Sequence, residues 1–360
     1  MISVLVFVFI LSILIVVHEF GHFIAAKKIG VRVEKFSLGF GTQLFKHKKG
    51  ETEYSVSAIP LGGYVKLSGD TPEEFKAKEY EYLSKPVGKR FFVIFLGPLL
   101  NYVLGFLCFW LIFSVGYPAL TAKVGTVMDG FGAKAAGVKP GDKVLEIDGE
   151  KVVFWEDLQK IVQSKSEASK VSLLILRDSR QENIDVVIKQ DQFNDVLGQK
   201  RKIGLLGITP DDEFITVRHN VLESFVLGAQ KTWELTILTY KGLWRVITGK
   251  LAIKESVTGP LGIFYITSKA ARLGIIAVLH LMAVLSISLG IFNLLPLPIL
   301  DGGHIVLLGI EKIRGKMLSL KADRVITKIG MTLIISLAIF VTYNDIIRLF
   351  GDKIIKIFGR

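Results

Sequence analysis

Two histidines separated by one helical turn, His18 and His22, are the strongest chemical signal in the chain, and Glu19 stands between them. On a helix, residues i and i+4 project from one face, which is the spacing that two nitrogen ligands of a tetrahedral zinc ion need. Glu19 would then be able to take a proton from a water molecule at the metal. The HEFGH segment therefore predicts part of a hydrolytic zinc site, with Glu19 as its general base.

The setting of this segment is unusual because it lies within an apolar run, residues 2–26, that is long enough to cross a bilayer. A charged side chain inside a membrane-spanning helix costs about 2.5–3.5 kcal/mol on insertion scales, which disfavours a purely structural origin for the three ionisable groups. No basic stretch precedes the run and no small-residue cleavage site follows it, so we expect a retained span and not a cleaved signal peptide.

Composition favours a membrane protein. The chain has 360 residues, is 50% hydrophobic and has a mean hydropathy of +0.47, which is high for a soluble enzyme of this length. Its net charge of +12 comes from basic residues that flank apolar runs. The positive-inside rule explains this pattern without a nucleic-acid partner. The single cysteine, Cys108, excludes a disulfide framework and a thiolate metal cluster.

Four apolar runs predict a polytopic α-helical membrane protein with about four transmembrane helices. The runs cover residues 2–26, 91–117, 273–300 and 326–343. Residues 27–90 carry 13 Lys or Arg against 8 Asp or Glu, and the link between the last two runs is also basic. Both links are therefore expected in the cytoplasm. We predict a membrane core in two halves, residues 1–117 and 273–360.

Residues 118–210 interrupt the membrane pattern. Alternating stretches at 171–176 and 184–188 predict strands, and the pattern from 155 to 162 predicts a helix. Turn signals at 147–149 complete the pattern of one small α+β domain. The charge rule places this domain outside the cytoplasm.

The connector 211–272 contains an ambiguous segment, residues 221–248. It is apolar, but five charged residues interrupt it, and its apolar side chains recur at helical spacing. This pattern predicts an amphipathic helix on the extracytoplasmic membrane surface. If the segment crossed the membrane instead, Asp301 would end on the opposite side from His18.

A third zinc ligand is expected at Asp301, because a catalytic zinc usually has three protein ligands and a water. Pro296 and Pro298 break the helix before Asp301, and such broken backbone is tolerated only within protein or beside a wet cavity. A solvated turn is the alternative for this segment taken alone. We expect helix–helix contact from Asn101, with active-site contact as the alternative. His280 and His304 are left outside the predicted site.

The chain resembles the site-2 protease family, with the bacterial RseP-type members nearest. The likeness rests on HEFGH at 18–22, LGGYVKL at 61–67, GPLLNY at 97–102 and NLLPLPILDGGH at 293–304, in this order. It implies zinc as the cofactor and His18, His22 and Asp301 as its ligands, with Glu19 as base.

The resemblance also implies a substrate site. Asn293, Pro296 and Pro298 would shape it, and a membrane-associated β element at about 50–70, containing Gly62 and Gly63, would pair with an extended substrate. Residues within 118–210 look like a single PDZ domain, whereas the best-known enterobacterial members carry two. Screening of substrates by a tandem pair is therefore not expected. Peptide capture and steric gating by this domain both stay open.

The expected function is that of an intramembrane zinc metalloprotease in the bacterial inner membrane, with its active site toward the cytoplasm. It would cleave single-span membrane proteins, such as anti-sigma factors or signal-peptide remnants, in or near their transmembrane segments. A proteolytically inactive adaptor that binds partners through the PDZ-like domain is the alternative. A transporter would also use broken helices and buried charges, but it gives no reason for HEFGH.

Overall fold

The computed structural model describes residues 2–165, 169–194, 200–252, 254, 257–317 and 319–358. The chain divides into two compact units, one formed by residues 1–112 together with 221–360 and the other by residues 113–220. The first unit contains the long apolar helices and a β hairpin, and the second is rich in short strands. The β-rich unit is thus inserted between the two halves of the helical one.

In the part of the chain that the structure describes, four helices are long and apolar enough to cross a membrane, which confirms the predicted polytopic α-helical class. They are α1 (Ile2–Lys28), α2 (Val87–Val115), α7 (Ile275–Asn293) and the segment Arg324–Phe350 of α9 (Leu320–Phe358). The third helix ends at Asn293 and not at residue 300, because the two prolines that follow cannot continue it. The fourth is longer than the predicted 326–343.

Helix α5 (Val221–Ile247) is not among these four. The large apolar side chains that predicted an amphipathic helix are exposed on it, including Trp233 at 63%. A different face is buried, formed by small residues at four-residue spacing, Ser224, Gly228, Thr232 and Thr236. This face runs antiparallel to α2: Gly228 lies against the Trp110 backbone, and Thr236 hydrogen-bonds Tyr102 at 2.5 Å. Because α2 is one of the four candidate spans, this packing along α2 does not fit the prediction that α5 lies in the plane of the membrane surface.

Two shorter helices of the helical unit lie within its described residues, α6 (Pro260–Leu273) and α8 (Asp301–Arg314). The start of α6 is joined to α9 by Asp345, which is fully buried. Its carboxylate accepts hydrogen bonds from the backbone N–H of Gly259 at 3.2 Å and of Gly262 at 2.8 Å. A carboxylate at the first turn of a helix satisfies N–H groups that have no partner within that helix.

The β hairpin pairs β1 (Val33–Lys49) with β2 (Thr52–Leu67). Each strand bends, so the hairpin forms a sheet of four segments. Residues 35–38 lie in the middle, paired on one side with 63–66 and on the other with 53–56, while 43–49 pair with 52–57. The predicted β element at about 50–70 is therefore only half of this sheet. Gly62 and Gly63 lie within β2, and the turn between the strands is at residues 50–51.

One edge of this sheet, the segment 63–67, lies next to α1. No further strand pairs with it among the described residues, so its outward backbone groups are not used in a ladder. Gly63 sits so close to α1 that a Cβ atom there would lie 3.1 Å from Ile15 Cγ2 and 3.5 Å from Glu19 Cγ. The hairpin thus presents an unpaired strand edge beside Glu19.

Outside residues 166–168 and 195–199, the inserted unit is built from short strands and two helices. Its four-stranded antiparallel sheet has the order β6 (Glu150–Lys151), β5 (Lys143–Ile147), β7 (Lys170–Arg177), β8 (Arg180–Val187). The remaining strands form two-stranded pairs: β3 (Tyr117–Leu120) with β12 (Phe214–Val217), β4 (Val124–Val127) with β11 (Ile208–Pro210), and β9 (Lys189–Asn194) with β10 (Lys200–Leu205). The helices are α3 (Gly132–Ala135) and α4 (Trp155–Gln163). Both predicted strands and the predicted helix of this region are confirmed.

Candidate zinc site

The two histidines of HEFGH lie on one face of α1 with their Nε2 atoms 3.2 Å apart. Asp301, the first residue of α8, meets them from the other half of the chain. Its Oδ2 lies 3.2 Å from His18 Nε2, and its Oδ1 lies 3.6 Å from His22 Nε2. All three side chains are largely buried, between 13% and 16% exposed. The structure therefore brings together the three residues that were predicted as ligands.

The spacing of these donor atoms fits a zinc ion. Zinc–nitrogen and zinc–oxygen bonds are about 2.0–2.1 Å long, so neighbouring ligands of a tetrahedral zinc stand about 3.3 Å apart. The three separations in this cluster are 3.2, 3.2 and 3.6 Å. Two imidazoles and one carboxylate leave the fourth position for water or substrate, which is the pattern of a catalytic zinc site.

Glu19 lies between the histidine pair and the β hairpin. Its side chain is partly buried, and its carboxylate interacts with both histidines, with Asp301 and with the backbone of Val65. The carboxylate is therefore next to the metal position on one side and next to the unpaired strand edge on the other. A base in this position can reach a water molecule at the metal and an extended chain bound along the edge.

Helix α2 packs against the histidines through residues of the GPLLNY segment. A Cβ atom on Gly97 would overlap the His22 ring, and one on Gly21 would overlap the Leu96 carbonyl group. Because both positions are glycine, the two helices approach closely enough for the His22 Nδ1–H to donate to the Val93 carbonyl oxygen at 2.9 Å.

Asn101 contacts the other histidine, with its Nδ2 atom 3.4 Å from His18 Nδ1. Its backbone carbonyl accepts a 2.6 Å hydrogen bond from Ser286 of α7. The residue thus makes both of the contacts considered for it from the sequence, one to the site and one between helices.

The segment between α7 and α8 is held by close backbone packing. Cβ atoms on Gly302 and Gly303 would overlap the carbonyl groups of Leu294 and Leu297, so both glycines are needed for the segment to turn into α8. Ile299 adopts φ of +79°, which is a strained conformation for a β-branched residue. The strain lies two residues before Asp301, where the chain must be aimed at the histidines.

The predicted substrate residues are distributed around this segment. Asn293 ends α7 and is partly buried, while Pro296 is exposed. Pro298 packs against α9, where a Cβ atom on Gly330 would lie 2.5 Å from Pro298 Cβ. In the hairpin, Gly63 faces Glu19, whereas Gly62 faces the Phe40 ring. Only one of the two predicted hairpin glycines therefore adjoins the site.

The profile of peptidase family M50 matches residues 6–337. A protein of Agrobacterium fabrum that is named as a zinc metalloprotease is 35% identical over 363 residues, covering 96% of both chains. The regulator of sigma E protease of Haemophilus influenzae is 31% identical over 438 residues, covering 95% of this chain and 98% of its own. The zinc metalloprotease RasP of Oceanobacillus iheyensis is 28% identical over 430 residues, covering 97% and 100%.

The chain belongs to peptidase family M50, the site-2 proteases. It is an intramembrane metalloprotease whose cofactor is zinc, and the resemblance seen in its motifs is confirmed. Within the inserted unit, the PDZ domain of the SdrC-like protein of Listeria monocytogenes is a structural neighbour at 24% identity, with a TM-score of 0.21, covering 25% of this chain and 86% of that one.

Proposed function

We propose that His18, His22 and Asp301 hold the zinc ion and that Glu19 is the general base for hydrolysis of a peptide bond in a transmembrane segment. The observation that carries this proposal is the convergence of the three donor atoms within 4.8 Å of one another, from opposite ends of the chain. When bound, zinc supplies Lewis acidity to the scissile carbonyl group and to the attacking water.

The substrate is a single-span membrane protein that unwinds locally at the cleavage point. A helix hides its carbonyl groups in hydrogen bonds to the N–H four residues on, so the scissile bond must leave the helix before attack. The unpaired edge at 63–67 supports this step, because an extended peptide that adds to a strand edge recovers backbone hydrogen bonds there. Asn293, Pro296, Pro298 and Gly63 are proposed to contact the extended substrate, because they lie on the segment before Asp301 and on the strand edge beside Glu19.

Proton transfer is assigned to Glu19. Its carboxylate takes a proton from the attacking water and later passes one to the amine that leaves. The partial burial of Glu19 and its position between the hairpin and the histidines support this role. Because the same group serves both steps, its loss removes the reaction and leaves the ligands in place.

The distribution of charge supports a topology in the bacterial inner membrane. The basic residues in 27–90 and in 312–324, which include the facing ends of the helices, favour a cytoplasmic location for both links. The catalytic side would then be the cytoplasmic one, and the inserted unit would be extracytoplasmic. The relative named regulator of sigma E protease supports a role in the regulation of a sigma factor. Anti-sigma factors are therefore one proposed substrate class, and signal-peptide remnants are a second.

The inserted unit is proposed to act as a single PDZ domain that captures peptide. A cavity of about 120 Å³ between α4 and residues 204–208 supports this role, and its lining is mostly apolar. PDZ domains bind peptide as an added strand beside a helix. Steric gating is the alternative. A variant in which larger side chains fill this cavity tests the choice, and an unchanged cleavage rate in that variant would favour gating.

Glu19→Gln tests the assignment of the base. With a purified single-span substrate in detergent, we expect cleavage to fall by about 10²–10⁴-fold. Zinc content and thermal unfolding should match the parent, because Gln keeps the size of the side chain and none of the three proposed ligands changes. Cleavage close to the parental rate would contradict the role of Glu19. A parent without zinc, with substrate processing unchanged in Asp301→Ala, would instead favour the adaptor.

A further inference from the structure

The two histidines of the site both turn Nε2 toward Asp301, at 3.2 and 3.6 Å. A neutral imidazole that binds a metal through Nε2 carries its proton on Nδ1, and that N–H needs an acceptor. For His22 the acceptor is the Val93 carbonyl oxygen at 2.9 Å. Since a carbonyl group cannot donate, the His22 tautomer is determined by this contact. His18 needs an equivalent partner.

Asn101 is the side chain beside His18 Nδ1. It is fully buried, and its amide nitrogen lies 3.4 Å from that atom. Its Oδ1 atom is also buried and has no hydrogen-bond partner among the described residues. A buried amide oxygen without a partner costs about 1–3 kcal/mol, so this arrangement of the amide is unfavourable.

A half-turn of the amide gives both Oδ1 and the His18 Nδ1–H a partner, and it moves Nδ2 to the position that Oδ1 held. The oxygen and nitrogen of an asparagine side chain have nearly the same shape, and their assignment follows from the hydrogen bonds they make. After the half-turn, Oδ1 faces His18 Nδ1 and accepts its N–H. Without the half-turn, Nδ2 would donate to Nδ1, and the His18 proton would be on Nε2, where it would point at Asp301 and block a metal.

We propose that Asn101 is a positioning residue whose Oδ1 accepts the Nδ1–H of His18 and keeps the Nε2 lone pair directed at the zinc ion. The inference rests on the proposed assignment of His18 as a ligand. It extends the site to a residue that touches neither metal nor substrate. Groups that orient a ligand in this way typically change metal affinity by about 10–100-fold.

Helix α7 holds Asn101 in place. Ser286 donates a 2.6 Å hydrogen bond to the Asn101 backbone carbonyl, and both residues are fully buried. Gly290 packs one turn further along, where a Cβ atom would lie 2.9 Å from the Pro98 carbonyl oxygen. Because α7 also leads into the segment that ends at Asp301, a single helix positions the partner of His18 and delivers the third ligand.

Two substitutions of nearly equal size separate the acceptor role from packing. Asn101→Leu fills the space but cannot accept, whereas Asn101→Asp can accept but cannot donate. Zinc affinity is measured by competition with a chromophoric chelator on the purified full chain in detergent. We expect Asn101→Leu to bind zinc about 10–100-fold more weakly, and Asn101→Asp to bind as tightly as the parent. Helical circular dichroism verifies that each variant is folded.

Parental affinity in Asn101→Leu would overturn the proposal, as would an Asn101→Asp variant as weak as the Leu one, since the amide would then act as a packing group or a donor. If neither variant folds, the ¹⁵N spectrum of the zinc-bound parent decides. A His18 that binds through Nε2 and whose Nδ1–H is in a hydrogen bond protected from solvent supports the proposal, and a His18 that binds through Nδ1, or whose Nδ1–H exchanges freely with water, overturns it. A parent that binds no zinc would overturn the ligand assignment as well, whereas an unaffected Leu variant of a zinc-binding parent overturns this inference alone.

Discussion

A buried ion pair between Arg90 and Glu311 links the start of α2 to the helix that carries Asp301. Arg90 is 4% exposed and Glu311 15%. The guanidinium group binds the carboxylate through both Nη atoms, with Nη1 at 3.1 Å from Oε2, and its Nε donates to the Lys85 carbonyl oxygen at 3.0 Å. Glu311 lies ten residues along α8 from Asp301, or about 15 Å along the helix axis. The pair therefore anchors the far end of α8.

Glu311→Ala should destabilise the protein by about 3 kcal/mol. Removing one partner of a buried pair costs about 3–5 kcal/mol, because the other charge stays buried without compensation. The lower end applies here, since Arg90 keeps its bond to the Lys85 carbonyl oxygen and Glu311 has some contact with solvent. A loss of this size lowers the equilibrium constant for folding by about a hundredfold. Unfolding by SDS titration in mixed micelles measures it.

The double variant Arg90→Met/Glu311→Leu is the matched control. It removes both charges and keeps apolar volume at both positions, and replacements of this kind are often neutral or stabilising. We expect its free energy of unfolding to lie much nearer to the parent than that of Glu311→Ala. A loss under about 1 kcal/mol in the single variant, the range of an exposed pair, would refute the reasoning. So would a double variant no more stable than the single one.

Two further predictions concern the hairpin and the inserted unit. The Val side chain in Gly63→Val would press on Glu19, so the cleavage rate should fall by about 10²-fold while the zinc content stays unchanged. Gly309→Ala is the control, because its new Cβ atom would meet nothing within 4 Å. A Gly63→Val variant that cleaves as fast as this control would contradict the prediction. Burial opposes ionisation of Asp142, but hydrogen bonds from Arg177 and a backbone N–H outweigh it and lower the pKa of its carboxyl group. Because the pKa of the Asp142 carboxyl group is lower in the folded than in the unfolded protein, ionised Asp142 stabilises the fold at any pH above its unfolded-state pKa. This stabilisation is lost below about pH 4, as the pH falls through the pKa of the folded state. The stability of residues 113–220, measured by hydrogen exchange at several pH values, should fall in this range. The Asp142→Asn variant should not show this dependence on pH.

The three residues proposed as ligands, which the structure brings together, could be predicted from the sequence because zinc chemistry restricts the ligand set. His18 and His22 define one helix face, and the need for a third ligand at the same depth selects Asp301. The helix count was also accessible, because an uncharged apolar run of about 20 residues is typical of a membrane-spanning helix. The end of α7 was predicted only approximately, at residue 300 instead of Asn293. The apolar run continues to residue 300, whereas the prolines that begin at Pro296 stop the helix earlier.

The contacts that refine the site could not be predicted, because they depend on tertiary packing. Strand β1 was missed because Gly39, Gly41 and a basic run at 46–49 hide the alternation of a strand. Asn101 gave a signal, a polar residue in an apolar helix, but nothing local told which side chain it faces. The contact of His22 with the Val93 carbonyl oxygen left no signal in the sequence, since any residue at position 93 would supply the same backbone group.

The arrangement of the zinc site across the two halves of the chain has a consequence for biosynthesis. His18 and His22 enter the membrane with the first helix, while Asp301 is synthesised after the inserted unit and α7. At roughly 5–20 residues per second, the third ligand follows the first two by on the order of 15–60 s. During that interval the nascent chain holds only two of the three donors. On the proposed ligand assignment, proteolytic competence is therefore acquired only after Asp301 is synthesised, and a chain that stalls before this residue enters the bilayer as an inert precursor.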